Sequence, residues 1–214
     1  MKIKKIGHCC LLIKTNDVTI LTDPGTFSTE QNSIKDIDLV LITHEHADHM
    51  HIESVKEIIK NNPSVKIITN SSVGKKLEEA GIPFILLEGS AKTEFGKVSL
   101  EAFDCKHGEI FEEIGQVQNT GYFIDNKLFY PGDSIYFDPK LDIEVMALPV
   151  AGPWCMLADA IRYALAVKPK KVFPVHEAML RPELIGLAHN IPKKVLGDHG
   201  IEFVPMIAGD EHEF

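Results

Sequence analysis

The segment THEHADH, residues 43 to 49, places four metal-binding side chains within six positions. His44 and His46 are two positions apart, so in an extended segment they project to the same side and can bind one cation. Asp48 and His49 come where the chain turns toward the next helix, which can aim them at a second cation nearby. A single zinc ion needs only three or four ligands. The spacing therefore predicts a metal site and is compatible with two cations.

Buried strands must deliver these side chains to one place. The cluster follows IDLVLIT, residues 37 to 43, a near-continuous apolar run that is typical of a strand covered on both faces. KKVFPVHEA, residues 170 to 178, repeats this arrangement, since an apolar strand again ends at a histidine. Both runs predict that metal-binding residues lie where buried strands end.

The order of the other elements predicts the fold class. Short β-rich runs with turn residues open the chain, and helices are predicted over residues 52–62, 71–81 and 157–169, with further strands between them. Residues 83–88, PFILLE, are predicted to form a strand, and Asp125 and Asn126 a hairpin turn. Two mixed β/α halves, with strands inside and helices outside, predict a four-layer αββα sandwich of two mixed sheets packed face to face. A doubly wound parallel sheet is the alternative, but the hairpins and the lack of a glycine-rich phosphate loop disfavour it.

Composition narrows the class of protein. A length of 214 residues predicts one domain over residues 1–214. The net charge of −9 disfavours nucleic acid as a partner. We find no run of about twenty apolar residues and no signal-peptide cleavage pattern, so a cytoplasmic protein without a membrane span is expected. The cysteines have no CxxC spacing; Cys9 and Cys10 should point to opposite faces of a strand, and Cys105 and Cys155 should be buried thiols.

The pattern HxHxDH over residues 44–49 resembles the signature of the metallo-β-lactamase superfamily. Later residues match the family's further ligand motifs in order: His107 after KVSLEAFDC, Asp133 in YPGDS and His176 in PVHEA. GHCCLLI and ILTDPG, near the start, resemble the first strands of its small lactonase-like members, a branch that includes ascorbate phosphate lactonases. The resemblance covers nearly the whole chain.

The resemblance implies a ligand set and a reaction. It assigns His44, His46 and His107 to a first metal and Asp48, His49 and His176 to a second, with Asp133 bridging both. Zinc is expected, although manganese and iron suit the same donors. The implied reaction is the hydrolysis of a small ester, lactone or phosphoester by a hydroxide held between the metals, with Asp48 and Asp133 as catalytic residues.

Other residues have expected supporting roles. His8 is expected either in the pocket wall or beside the metal ligands, with a purely structural position as the alternative. Trp154 is expected either in the pocket wall or in the core. Asp23 resembles the family's carboxylate that hydrogen-bonds a metal-binding histidine, although Asp-Pro-Gly is also a turn sequence. The remaining histidines are expected on the surface: His51, His189, His199 and His212.

Three alternatives remain beside this function. The same dimetal core could serve a nuclease or phosphodiesterase, and weak promiscuous β-lactam hydrolysis is compatible with either activity. Class B β-lactamases usually lack the second histidine of the pattern and an aspartate at position 133, so antibiotic hydrolysis is not expected to be the main activity. The third alternative is a metal-binding module without catalysis. For the enzyme, the expected substrate is a small molecule.

Overall fold

The structure, a computed structural model, describes residues 1–112, 114 and 117–214. Its strands are β1 (Lys2–Gly7), β2 (Cys10–Thr15), β3 (Val18–Thr22), β4 (Leu39–Ile42), β5 (Lys66–Thr69), β6 (Ile85–Leu86), β7 (Lys92–Phe95), β8 (Val98–Lys106), β9 (Gln118–Ile124), β10 (Leu128–Tyr130), β11 (Val145–Pro149), β12 (Lys171–Val175), β13 (Glu202–Phe203) and β14 (Glu211–Glu213). Its helices are α1 (Ile52–Asn61), α2 (Ser71–Glu79), α3 (Leu157–Val167) and α4 (Pro182–Gly197), and a short 3-10 helix covers Glu30–Ser33.

The strands form two mixed sheets. The first has the order β14-β1-β2-β3-β4-β5-β6 and the second the order β13-β12-β11-β10-β9-β8-β7. In each sheet one half is antiparallel and the other parallel: β3 to β6 run parallel in the first, and β10 to β13 in the second. Hairpins therefore supply the antiparallel halves, as the turn residues predicted. Asp125 and Asn126 both have positive φ, 55° and 52°, at the tight turn between β9 and β10.

Three apolar clusters lie between the four layers, which are two sheets inside and two pairs of helices outside. The central cluster lies between the sheets and contains residues from both, such as Leu11 of β2 and Tyr122 of β9. A second cluster packs the first sheet against α1 and α2, and a third packs the second sheet against α3 and α4. The predicted αββα sandwich is confirmed. Among the described helices, none combines the length and apolarity needed to cross a bilayer.

The cysteines follow their predicted positions. Cys9 belongs to the cluster between the sheets and Cys10 to the cluster under α1 and α2, so the two side chains point to opposite faces. Cys105 and Cys155 are buried, and all four thiols are free. Free thiols in apolar surroundings behave as small hydrophobic residues, which accounts for three of them. Cys9 has a second environment, described with the site below.

Two of the sequence predictions about local structure need correction. The strand predicted over residues 83–88 is reduced to two exposed residues at the end of the first sheet. His189 was predicted on the surface and is buried on α4, with its ring centroid 5.8 Å from that of Phe203. His51 and His212 are only partly exposed, while His199 is exposed as predicted. The error for His189 has one cause, because α4 itself was not predicted from the sequence.

Candidate metal centre

The ends of four strands meet at one edge of the sandwich. β8 and β10 both pair antiparallel with β9, so they point the same way, and β12 runs parallel to them through β11. His107 directly follows β8, Asp133 follows β10, and His176 directly follows β12. The first sheet joins this edge after β4, where the carbonyl of Thr43 accepts a hydrogen bond of 3.0 Å from the N–H of Thr120 in β9. The topology therefore brings all four histidine and aspartate segments together.

Asp133 lies at the centre of the group. Its carboxylate oxygens are 3.0 Å from Nε2 of both His49 and His176, and Oδ2 is 3.4 Å from Nε2 of His107 and 3.7 Å from Nε2 of His44. The side chain is almost completely buried. One carboxylate is thus within reach of histidines from both predicted ligand sets, as a bridging residue requires.

Four of the buried histidines have an oxygen atom beside Nδ1. The pairs are His44 with Thr43 Oγ1 at 3.0 Å, His49 with Asp23 Oδ2 at 2.7 Å, His107 with the carbonyl of Gly108 at 2.6 Å and His176 with the carbonyl of Ala151 at 2.6 Å. Carbonyl and carboxylate oxygens only accept hydrogen bonds, so Nδ1 carries the proton where they are the partner. Nε2 is then left with a free lone pair, the arrangement found in metal-binding histidines.

These Nε2 atoms have no hydrogen-bond partner. Within the described residues, the buried atoms without one include Nε2 of His44, His49, His107 and His176 and Oδ1 of Asp133. Leaving a buried polar atom unpaired costs free energy, and here five such atoms lie around one point. Imidazole nitrogens and carboxylate oxygens are donors that zinc, manganese and iron accept. The residues present therefore fit the metal centre that the sequence predicts.

The ligand atoms fall into two groups, in each of which all of them lie within 4.8 Å of one another. The first group is His44, His46, His107 and Asp133, and the second is His8, Cys9, His49 and His176. Asp48 is close to the second group, since its Oδ2 is 3.5 Å from Nε2 of His176 and 3.8 Å from Nε2 of His49. The structure thus gathers all seven predicted ligands. It adds the thiol of Cys9, for which the only signal in the sequence is its position next to His8.

The electrostatics of the group favour a cation. Burial lowers the pKa of His44 well below its usual value, and the neighbouring His49 lowers it further. Burial also opposes a charge on His49 and His176, but the carboxylate of Asp133 outweighs it and raises the pKa of both. Asp133 itself is buried, which raises its pKa, yet the surrounding histidines hold that pKa well below its usual range. The ionised carboxylate of Asp133 therefore stabilises positive charge at the centre of the group.

Asp23 hydrogen-bonds both ends of the segment of residues 43–49, which we call the ligand segment. It is fully buried and its carboxylate accepts hydrogen bonds from the N–H and the hydroxyl of Thr43, both 2.8 Å, from Nδ1 of His49 and from the hydroxyl of Tyr130 at 2.6 Å. The contact between this carboxylate and a predicted metal-binding histidine, His49, is present. Tyr130 was not among the predicted site residues, although it stands three positions before Asp133 in the motif YPGDS.

A cleft of about 310 Å³ opens above the group. It is lined by His46, Asp48, Asp133 and His176 together with Thr26, Phe27, Ala47, Ile110, Pro153, Trp154 and Met179. Trp154 also packs against the ligand histidines, with its ring centroid 5.6 Å from that of His107 and 5.3 Å from that of His176. It is therefore both a buried packing residue and part of the cleft wall.

Gly25 lies against the backbone of the ligand segment. A Cβ atom at this position would be 1.9 Å from the carbonyl oxygen of Asp48 and 2.5 Å from the nitrogen of His49. Gly25→Ala should therefore displace the backbone that carries both residues and reduce the bound metal per chain. A misplacement of about 1 Å can lower catalysis about 10²-fold. Elemental analysis of the purified variant, beside its thermal unfolding, measures the effect.

The control for this substitution is Gly186→Ala within α4. There the nearest atom to an added Cβ is 3.9 Å away, and alanine is about 1 kcal/mol more favourable than glycine inside a helix. This variant should keep its metal and gain a little stability. Wild-type metal content in Gly25→Ala would show that the ligand segment does not need this close contact.

Comparison with known proteins is consistent with this geometry. Residues 2–176 match the family model of the β-lactamase superfamily domain. A UPF0173 metal-dependent hydrolase of Listeria welshimeri is 31% identical over 199 residues, which cover 82% of this chain and 85% of the relative. Protein Rv0786c of Mycobacterium tuberculosis is 29% identical over 192 residues, covering 87% and 89%. The solved structure of Igni18, a metallo hydrolase from Ignicoccus hospitalis, matches with a TM-score of 0.77 at 19% identity, over 100% of this chain and 98% of its own. The chain therefore belongs to the metallo-β-lactamase superfamily and, within it, to the UPF0173 metal-dependent hydrolases.

Proposed function

We propose that the protein hydrolyses a small ester, lactone or phosphoester at a dinuclear zinc centre, as the lactonase-like branch that it resembles would do. The observation that carries the proposal is the convergence of four buried histidine Nε2 atoms and one carboxylate oxygen without partners. Such a set is costly without a cation and suited to one. Family membership gives the class of reaction, and the donors give the site.

The ligands that we propose for the two ions are those predicted from the sequence. His44, His46 and His107 would hold one ion, Asp48, His49 and His176 the other, and Asp133 both. When bound, two such ions make a water ionise near neutral pH and polarise the carbonyl or phosphoryl oxygen of the substrate. To hold an ion these histidines must present Nε2, and the Nδ1 contacts of His49, His107 and His176 enforce this.

Asp48 is the proposed proton acceptor. Its side chain is 22% exposed and lines the cleft, so it can reach both substrate and solvent. Burial raises its pKa, but the neighbouring His176 and the hydrogen bond from His8 outweigh this and hold the pKa well below the usual range. The group is therefore a carboxylate at neutral pH and can take a proton from the attacking water.

His8 fixes the position of Asp48. Its Nδ1 accepts a hydrogen bond of 3.3 Å from the N–H of Ala178, so Nε2 carries the proton and donates to Oδ2 of Asp48 at 3.1 Å. Burial lowers the pKa of His8 to about 4, which keeps the ring neutral at pH 7. We therefore assign His8 as a positioning residue, and these contacts support its expected role beside the metal ligands over a purely structural one.

His8→Asn should therefore lower kcat by about 10- to 100-fold with little change in KM, because loss of an outer hydrogen-bond partner has effects of this size. Asparagine tolerates the left-handed backbone found at His8, where φ is 50°, so the fold should persist. His8→Gln keeps a longer donor and should recover part of the rate. Equal rates in wild type and His8→Asn would remove the assigned role.

The cleft favours a small substrate over a nucleic acid. Neither lysine nor arginine is among its described lining residues, and phosphate-tracking grooves depend on such side chains. Phe27 and Trp154 supply the aromatic lining common in small-molecule sites. These observations support the ester or lactone over the nuclease alternative.

The test combines metal analysis with a substrate panel. Purified protein should contain close to two zinc ions per chain and hydrolyse at least one of 4-nitrophenyl acetate, γ-butyrolactone and bis(4-nitrophenyl) phosphate. Chelation should abolish turnover and added zinc should restore it. Activity that survives complete metal removal would overturn the proposal. Bound zinc without hydrolysis of any ester, lactone, phosphoester or thioester would favour the non-catalytic module instead.

A further inference from the structure

A second cavity, larger than the cleft, lies beside it between α4 and the segment of residues 150–157. Its volume is about 580 Å³, within the range of about 300 to 1,000 Å³ usual for small-molecule sites. As far as the structure describes the chain, none of its lining residues carries a charged side chain. We refer to this cavity as the apolar groove.

The apolar groove adjoins the metal cleft. Pro153 and Met179 line both cavities. A molecule whose reacting group lies among His46, Asp48 and Asp133 would reach the groove past these two residues, of which Met179 is 56% exposed. The two cavities differ in chemistry, since the cleft carries the metal-binding groups and the groove is apolar.

The walls of the apolar groove expose large side chains that usually lie in a core. Leu184 and Leu187, both on α4, are 44% and 57% exposed. Met156 and Met179 also line the groove and are 68% and 56% exposed. Another part of the helix supplies its core contacts, through residues such as Leu196. Contiguous exposed apolar surface commonly marks a binding site, and methionine side chains adapt to ligands of varied shape.

We propose that the apolar groove binds the alkyl chain of the substrate, so that the protein acts on a medium-chain acyl ester or an alkyl-substituted lactone. The site of hydrolysis in this inference rests on the proposed function, whereas the binding of the chain does not. The concave shape and the shared border with the metal cleft favour a substrate chain over a second protein. A charged or sugar-like extension would leave its polar groups without partners in this groove.

The first experiment measures binding rather than turnover. Straight-chain alkanoates from butanoate to dodecanoate are titrated by calorimetry into the metal-loaded protein and into Asp133→Asn. The affinity should rise about fourfold for each added methylene until the groove is filled, which corresponds to ~0.8 kcal/mol per buried CH₂. Because the slope depends on the chain and not on the carboxylate, it should persist in Asp133→Asn even if every affinity is lower.

Variants on α4 provide the matched comparison. Leu184→Gln with Leu187→Gln should flatten the dependence on chain length, while Ile191→Gln should leave it unchanged. Ile191 lies one turn further along the same helix and is 44% exposed, but it does not line the apolar groove. All three positions are exposed, so none of these substitutions should prevent folding.

The outcomes separate the inference from the proposed function. A slope lost only in the double variant supports the groove, even if no substrate is hydrolysed. Absence of any dependence on chain length, or an equal loss in Ile191→Gln, overturns it. A dimer in sedimentation analysis that the double variant abolishes also overturns it, because the groove would then hold a second copy of the chain.

Discussion

Asp133→Asn is expected to strip the protein of metal and to lower hydrolysis on the order of 10⁴-fold, the scale seen when a central catalytic group is removed. Asp133 belongs to the first ligand group and is 3.0 Å from Nε2 of His49 and His176 of the second, so its negative charge is shared by both. Asparagine has the same shape but no charge, and one of its two positions offers N–H donors where a cation must bind.

The substitution should spare the fold. The main-chain contacts of residue 133 do not involve its carboxylate: its N–H donates to Oδ1 of Asn119 at 3.0 Å and its carbonyl accepts from Gly108 at 2.8 Å. Metal per chain is measured by mass spectrometry and unfolding by calorimetry. Asp142→Asn, which changes an exposed carboxylate paired with Lys170, is the control and should be silent. Two tightly bound ions in Asp133→Asn would contradict the bridging assignment.

The sequence predicted those parts of the site that depend on the type and spacing of neighbouring residues. β4 and β12 are apolar on both faces, so their composition marked them as buried strands, and each is followed by a histidine. The compact spacing of residues 44–49 pointed to metal because four metal-binding side chains rarely meet within six positions by chance. The fold class followed from the order of strands and helices. Each of these inferences used residues that are close in sequence.

Contacts between distant residues could not be predicted in this way. Tyr130 reaches Asp23 across 107 positions, and Cys9 meets His176 only because β2 and β12 lie in facing sheets. α4 was missed because Gly186 and Pro192 interrupt its sequence, and because its exposed leucines blur the usual polar face. β14 has the sequence EHE, without apolar alternation, and exists through pairing with β1.

Breaking a buried ion pair next to the site should cause the second large effect, a loss of folding stability. Lys5 of β1 is fully buried and pairs with Glu177, which directly follows the ligand His176. The same ammonium group donates to the carbonyls of Pro174 at 2.7 Å and Met206 at 3.2 Å. Burial lowers the pKa of Lys5 and raises that of Glu177, while each partner's charge counteracts the shift. The pair thus connects the end of β12 to β1, although removing both charges from water costs free energy.

Lys5→Met should therefore destabilise the protein by ~3–5 kcal/mol, because it leaves the carboxylate of Glu177 buried without a counter-ion. The double variant Lys5→Met with Glu177→Leu should regain most of this loss, since replacing a buried pair by apolar residues is often neutral. Urea unfolding of the wild type, both single variants and the double variant measures the coupling.

The loss in Lys5→Met should also depend on pH. Without Lys5, the pKa of Glu177 in the folded protein is raised further above its unfolded value, so protonation relieves the unpaired charge. Stability gained from the protonated form is present at low pH and is lost as the pH rises through the folded pKa. The difference from wild type should therefore be smaller at about pH 5 than at about pH 8. A constant difference would mean that the lost contacts to Pro174 and Met206, and not the charge of Glu177, account for the destabilisation.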